Sequence, residues 1–124
     1  MNKFILLAAG GVFGAVGRYV LSGVVYRLLG TGFAYGTLAV NTLGCFGVGF
    51  LASLAERKFL MTPEMRIFWM IGLFGAFTTF STLIFESWKM IQQGQSLLAG
   101  GNLAVSLILG FAALWIGTVM ASAV

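Results

Sequence analysis

Residues 33–54 contain no charged side chain, and three other apolar stretches of comparable length accompany them. A helix that crosses a bilayer needs roughly 20 such residues in succession. The four stretches run at about 4–29, 33–54, 63–91 and 97–122, with only short polar links between them. This pattern predicts an all-α membrane protein with four transmembrane helices. It also predicts a single domain over residues 1–124, because no link is long enough to hold a second one. The balance of 60% hydrophobic to 8% charged residues excludes an ordinary water-soluble fold. Eighteen glycines suit helices that approach closely in lipid. Lys3 ahead of Phe4-Ile5-Leu6-Leu7 resembles the start of a signal peptide. The apolar character continues past a signal core and then recurs, so the stretch reads as the first membrane helix.

Several function classes fall away on residue type. The chain has no histidine and one cysteine, Cys45, which removes His/Cys metal sites, Cys-His nucleophiles and an internal disulfide. Cys45 lies in an apolar run and reads as an inert thiol. Nothing offers a nucleophile-base pair, so the chain is not read as an enzyme. A net charge of +4, scattered along the chain, makes no nucleic-acid surface. An even number of spans puts both termini on one side, together with Lys3, Arg57, Lys58 and Arg66. Arg27 and Lys89 mark the other side, and Arg18 lies within the first span. Four cations against two or three is a weak bias under the positive-inside rule. Such a chain can insert both ways, and two copies could then pair as an antiparallel homodimer.

Polar groups at membrane depth are the functional signal. Residues 72–82 read Gly-Leu-Phe-Gly-Ala-Phe-Thr-Thr-Phe-Ser-Thr, with hydroxyls at 78, 79, 81 and 82 inside the third span. Hydrocarbon supplies no water to an interrupted backbone, so this run must face protein or a hydrated path. Thr79, Thr82 and Glu86 fall on one helical stripe, beside Phe80 and Leu83. Thr37 and Asn41 share a face of the second span, and Asn102, Ser106 and Gly110 share one of the fourth. Asn41 serves either to tie helices together or to line a path. Arg18 is either a snorkelling anchor or a functional charge. Hydroxyls, amide N–H groups and a guanidinium all favour an anion, which can also meet the positive edge of Phe77 or Phe80. The small-residue faces Gly10/Gly14/Gly17 and Ser106/Gly110/Ala113/Gly117 read as packing surfaces. Thr62-Pro63-Glu64 reads as a cap that starts the third helix.

Gly17-Arg18-Tyr19, then Gly36-Thr37-Leu38-Ala39-Val40-Asn41-Thr42-Leu43-Gly44, then residues 72–82 resemble the signature segments of the Fluc (CrcB) fluoride channels. The resemblance covers essentially the whole chain. It implies a multi-pass protein of the bacterial inner membrane, a dual-topology antiparallel homodimer whose two pores let fluoride leave the cytoplasm and relieve its toxicity. It implies that Asn41 donates to fluoride, that Phe80 is the first ring of an aromatic pair, and that Ser81 and Thr82 belong to a hydroxyl track. It further implies a helix break near 75–78, where the carbonyls of Gly75 and Thr78 hold a structural sodium ion between the two copies. Two positions depart from the family pattern. Leu83 stands where the second ring belongs, and Asn102 stands where a tyrosine is common. Thr37, Thr79, Glu86, Ser106 and Arg18 complete the expected pore set. The rival readings are a proton-coupled small multidrug exporter and a non-transporting assembly subunit. The first needs a carboxylate in the first helix, where this chain has Arg18. The second leaves Asn41 and the hydroxyl run without a role.

Overall fold

The computed structural model describes residues 2–124 and, among them, holds helices and no strand. Helix α1 spans Lys3–Leu29 and α2 spans Tyr35–Arg57. The third crossing, Pro63–Gln92, is composite. It comprises α3 (Pro63–Met65), a π-helical stretch (Arg66–Phe74), α4 (Gly75–Phe77) and, after two extended residues, α5 (Phe80–Gln92). Helix α6 (Ser96–Ser122) completes the bundle. Four crossings are thus long and apolar enough to span a membrane.

The ends of these helices follow from local chemistry. Thr62 Oγ1 accepts the Met65 N–H at 3.2 Å, with Pro63 at the first helical position and Glu64 in the first turn. Asn2 caps α1 in the same way through the Phe4 N–H. Gly30 ends α1 at φ 85°, a conformation that suits glycine, and its N–H returns to the Tyr26 carbonyl at 2.8 Å. The second helix starts at Tyr35 rather than at 33, because the Tyr35 N–H closes a tight turn onto the Phe33 carbonyl. It continues past 54 to Arg57.

Both small-residue faces are used inside the chain. Gly10 and Gly14 are buried where α1 crosses the π-helical stretch, against the Phe68 and Leu73 carbonyls. Gly17 faces the Phe77 ring. On the other side of the bundle Gly117 of α6 lies on the Phe46 carbonyl, and Gly49 of α2 lies on the Leu114 carbonyl. A side chain at these points would overlap backbone, which cannot move aside as a side-chain tip can. Gly14→Val should therefore lower the unfolding free energy in detergent by at least the 1–3 kcal/mol typical of about one overpacked site. Gly23→Ala, on the same helix with open space around it, should change little.

The outward surface is apolar. Phe4, Phe13, Phe111 and Trp115 are all more than half exposed, as lipid contact requires and water would oppose. The chain is a multi-pass membrane protein. Lys58 Nζ donates to the Val124 carbonyl at 2.9 Å, which joins the C-terminal ends of α2 and α6 at one face of the bundle. The α1–α2 and α5–α6 turns lie at the other.

Candidate functional site

The third crossing opens at Thr78 (φ −85°, ψ 158°) and Thr79 (φ −149°, ψ 115°). Gly75 remains helical at φ −62°, ψ −37°, so the break lies at the C-terminal edge of the expected 75–78 stretch. The reason lies in the hydrogen bonds. Thr78 still donates its N–H and its hydroxyl to the Phe74 carbonyl, at 3.2 and 3.1 Å, and so completes the upstream helix. The Thr79 N–H would next reach back to Gly75; it donates instead to Asn41 Oδ1 at 2.7 Å. Asn41 Nδ2 in turn donates to the Thr79 carbonyl at 3.1 Å, so one side-chain amide holds both backbone groups of this residue. Arg18 Nε donates to the Ala76 carbonyl at 3.1 Å, which places a cation at the C-terminal end of the broken helix, where its dipole favours one. Thr79 then caps α5. Its Oγ1 accepts the Thr82 N–H at 3.3 Å and donates to Thr82 Oγ1 at 2.9 Å.

The sequence-level stripe Thr79/Thr82/Glu86 therefore separates into two units. Thr79 and Thr82 form a helix cap. Glu86 lies nearer the turn end of the bundle, where its carboxylate accepts from the Tyr26 hydroxyl at 2.7 Å and from the Thr37 hydroxyl. Arg18 is bonded to the break through its Nε. Asn41, Thr78, Thr79, Phe80, Leu83 and Ser106 come together around one cleft of about 310 Å³, together with Gly44 and Cys45. Phe80 is 74% exposed there and Leu83 only 8%. Ser106 Oγ is buried with no hydrogen-bond partner among the described residues. Asn102, one turn earlier on α6, is not on the cleft wall. It is 1% exposed, donates to Ser87 Oγ at 3.0 Å and leaves its own Oδ1 unpaired. Ser81 is exposed beside Phe80 and outside the cleft lining.

Sequence reasoning missed Tyr26 and Ser87. A tyrosine close to the end of a span reads as an interfacial anchor, and a lone serine in an apolar helix reads as bonded to its own turn. The Ser87 hydroxyl does donate to the Leu83 carbonyl at 2.8 Å while it also receives Asn102. For metal, the described residues hold no group of three His, Cys, Asp or Glu side chains. The break instead frees main-chain oxygens. The Gly75 carbonyl loses its helical partner to Asn41, and the Thr78 carbonyl loses the Thr82 N–H to Thr79 Oγ1.

Fold and site together define the class, a small multi-pass membrane protein with polar groups gathered at a broken helix. Channels and carriers use this arrangement because irregular backbone at membrane depth is tolerated only where it is buried or lines a cavity. The chain belongs to the CrcB family, since residues 5–118 match the family model described as CrcB-like protein, Camphor Resistance (CrcB). It is 44% identical over 112 residues to the fluoride-specific ion channel FluC of Maridesulfovibrio salexigens, covering 90% of this chain and 89% of that one. It is 43% identical over 115 residues to the FluC of Hydrogenovibrio crunogenus, covering 93% and 87%. The FluC of Geotalea uraniireducens is 37% identical over 123 residues, 99% of each chain.

Proposed function

We propose that this chain is a passive, fluoride-selective channel of the bacterial inner membrane that lets fluoride leave the cytoplasm. The observation that carries the reading is the cleft beside the break, where donors meet an exposed aromatic ring. Family membership points the same way. Fluoride is small and strongly hydrated, so a narrow pore must replace its water with several good donors. Asn41 has two N–H bonds and spends one on the Thr79 carbonyl, which leaves the second for an anion. The unpartnered Ser106 hydroxyl can donate from the facing wall. Phe80 offers the positive edge of its ring. Thr82 accepts from Thr79 and keeps its own O–H free, so it extends the donor track with Ser81. Arg18 acts by holding the break open. Thr37, Glu86 and Asn102 continue the polar line towards the turn end of the bundle.

The working unit in this reading is an antiparallel homodimer with two pores. The cleft and Phe80 lie open on the surface of one copy, and a second copy would close them. The nearly balanced charges permit both insertion directions. The carbonyls of Gly75 and Thr78, two from each copy, would hold a structural sodium ion, a hard cation suited to oxygen ligands. When bound, that ion supplies fixed positive charge and a tie between the copies. Proton-coupled drug export finds no carboxylate in α1 to run on.

Expression in a bacterium stripped of its own fluoride export tests the direction and the ion together. Growth in fluoride medium should be restored; continued sensitivity with the protein present in the membrane would contradict the proposal. Leu83 sits on the cleft wall next to Phe80. Leu83→Phe should raise fluoride flux severalfold by adding a second ring edge, at about 1–3 kcal/mol of stability for filling a packed site. Unchanged flux in purified, reconstituted protein would make position 83 a packing residue only.

A further inference from the structure

A second cavity, of about 370 Å³, opens at the turn end of the bundle and is lined by Tyr26, Glu86, Lys89, Gln93 and Gln95 among others. It shares no lining residue with the Asn41–Phe80 cleft, but helical spacing relates the two. Thr37 precedes Asn41 by one turn of α2, and Glu86 follows Leu83 by one turn of α5. Its rim is well built. The Gln95 N–H donates to the Met90 carbonyl at 2.8 Å, Gly94 turns the chain at φ 77°, and Ala34, Met90 and Ala99 pack beneath. Its lining carries one carboxylate and one ammonium, and the two are not bonded to each other. The Glu86 carboxylate accepts from Tyr26 and Thr37 rather than from Lys89, one turn further on. The Lys89 ammonium stands exposed, 5.5 Å from the centre of the Phe85 ring. Arg27, the other cation at this end, lines the neighbouring cavity on the far side of Tyr26.

We infer that Lys89 is the anion-gathering charge of this mouth, which draws a small hydrated anion to the Gln93 and Gln95 amides before it enters the cleft. The inference rests on the fluoride-channel reading and adds to it the residue that feeds the path. One ammonium in water raises the local concentration of a monovalent anion about threefold at about 7 Å. Salt removes the effect, because the screening length falls from about 30 Å at 0.01 M to about 3 Å at 1 M.

The test is the initial rate of fluoride efflux from zwitterionic-lipid vesicles holding the full chain, at low and at high potassium gluconate, about 0.01 and 1 M so that screening changes fully. At low salt, Lys89→Gln should run at about one-third of the unsubstituted rate and Lys89→Glu at about one-ninth, with Lys89→Arg unchanged. At high salt all four proteins should converge. Slowing of Lys89→Gln by the same factor at both salts, or at neither, would overturn the assignment and make Lys89 a lipid-headgroup anchor or a helix-packing residue. Absence of fluoride efflux from the unsubstituted protein would overturn the channel reading itself, and that arm needs no variant.

Discussion

Asn41→Leu is expected to cut fluoride flux by about 10- to 100-fold and to weaken the fold at the same time. The asparagine holds the Thr79 N–H and carbonyl at once, at 2.7 and 3.1 Å, and the leucine holds neither. A buried donor or acceptor left unsatisfied costs about 1–3 kcal/mol, and here two part-buried backbone groups at membrane depth are affected. Loss of a hydrogen bond to a charged ligand, about 1.5–3 kcal/mol, corresponds to about a 10- to 100-fold fall in rate if it is made at the barrier. Asn41→Asp separates the two effects. Its carboxylate can still accept the Thr79 N–H, so the break should survive, but the donor is gone and a negative charge faces the path. Thermal unfolding in detergent should show the aspartate variant closer to the parent than the leucine variant, while both lose fluoride flux to a similar degree. Fluoride efflux through Asn41→Asp at the parental rate would remove this amide from the pathway.

The second large effect belongs to Arg18. Its Nε bond to the Ala76 carbonyl ties α1 to the end of the broken helix. Arg18→Leu strands that carbonyl and removes the cation that complements the helix end, a loss of about 1.5–3 kcal/mol for a charge-assisted bond. Arg18→Lys keeps the charge but not the planar donor geometry, and should fall between the two. Equilibrium unfolding in mixed detergent measures this directly. If Arg18 were an anchor in the lipid headgroups, the lysine variant would match the parent and the leucine variant would lose little. A graded loss from arginine to lysine to leucine, with fluoride flux falling in parallel, is the expected result.

These two residues also show what the sequence could and could not disclose. Four hydroxyls in five positions of an apolar run announced an interrupted helix, and Thr62-Pro63-Glu64 announced its start. Each signal is local, because helix periodicity and capping act over three or four residues. Asn41 and Arg18 stood out as polar groups at depth, but their partners lie 38 and 58 residues away. Only the packing of α1 and α2 against the third crossing brings them to Thr79 and Ala76. The i, i+3 spacing of Thr79 and Thr82 fits a pore stripe and a helix cap equally well; the extended backbone at Thr79 forms the cap and leaves the Thr82 O–H free. The π-helical stretch Arg66–Phe74 carries no residue signature of its own. It lies where Gly10 and Gly14 let α1 approach most closely. Tyr26 stayed hidden because its role depends on Glu86, which a different helix delivers.

The central claim is that the cleft at this break passes fluoride and holds back other anions. Paired efflux from liposomes loaded with fluoride and chloride together, followed with two ion-selective electrodes, addresses it most directly. Fluoride should leave at once, and chloride should stay until detergent breaks the vesicles. Chloride leaving alongside fluoride, or neither ion leaving before detergent, would contradict the account.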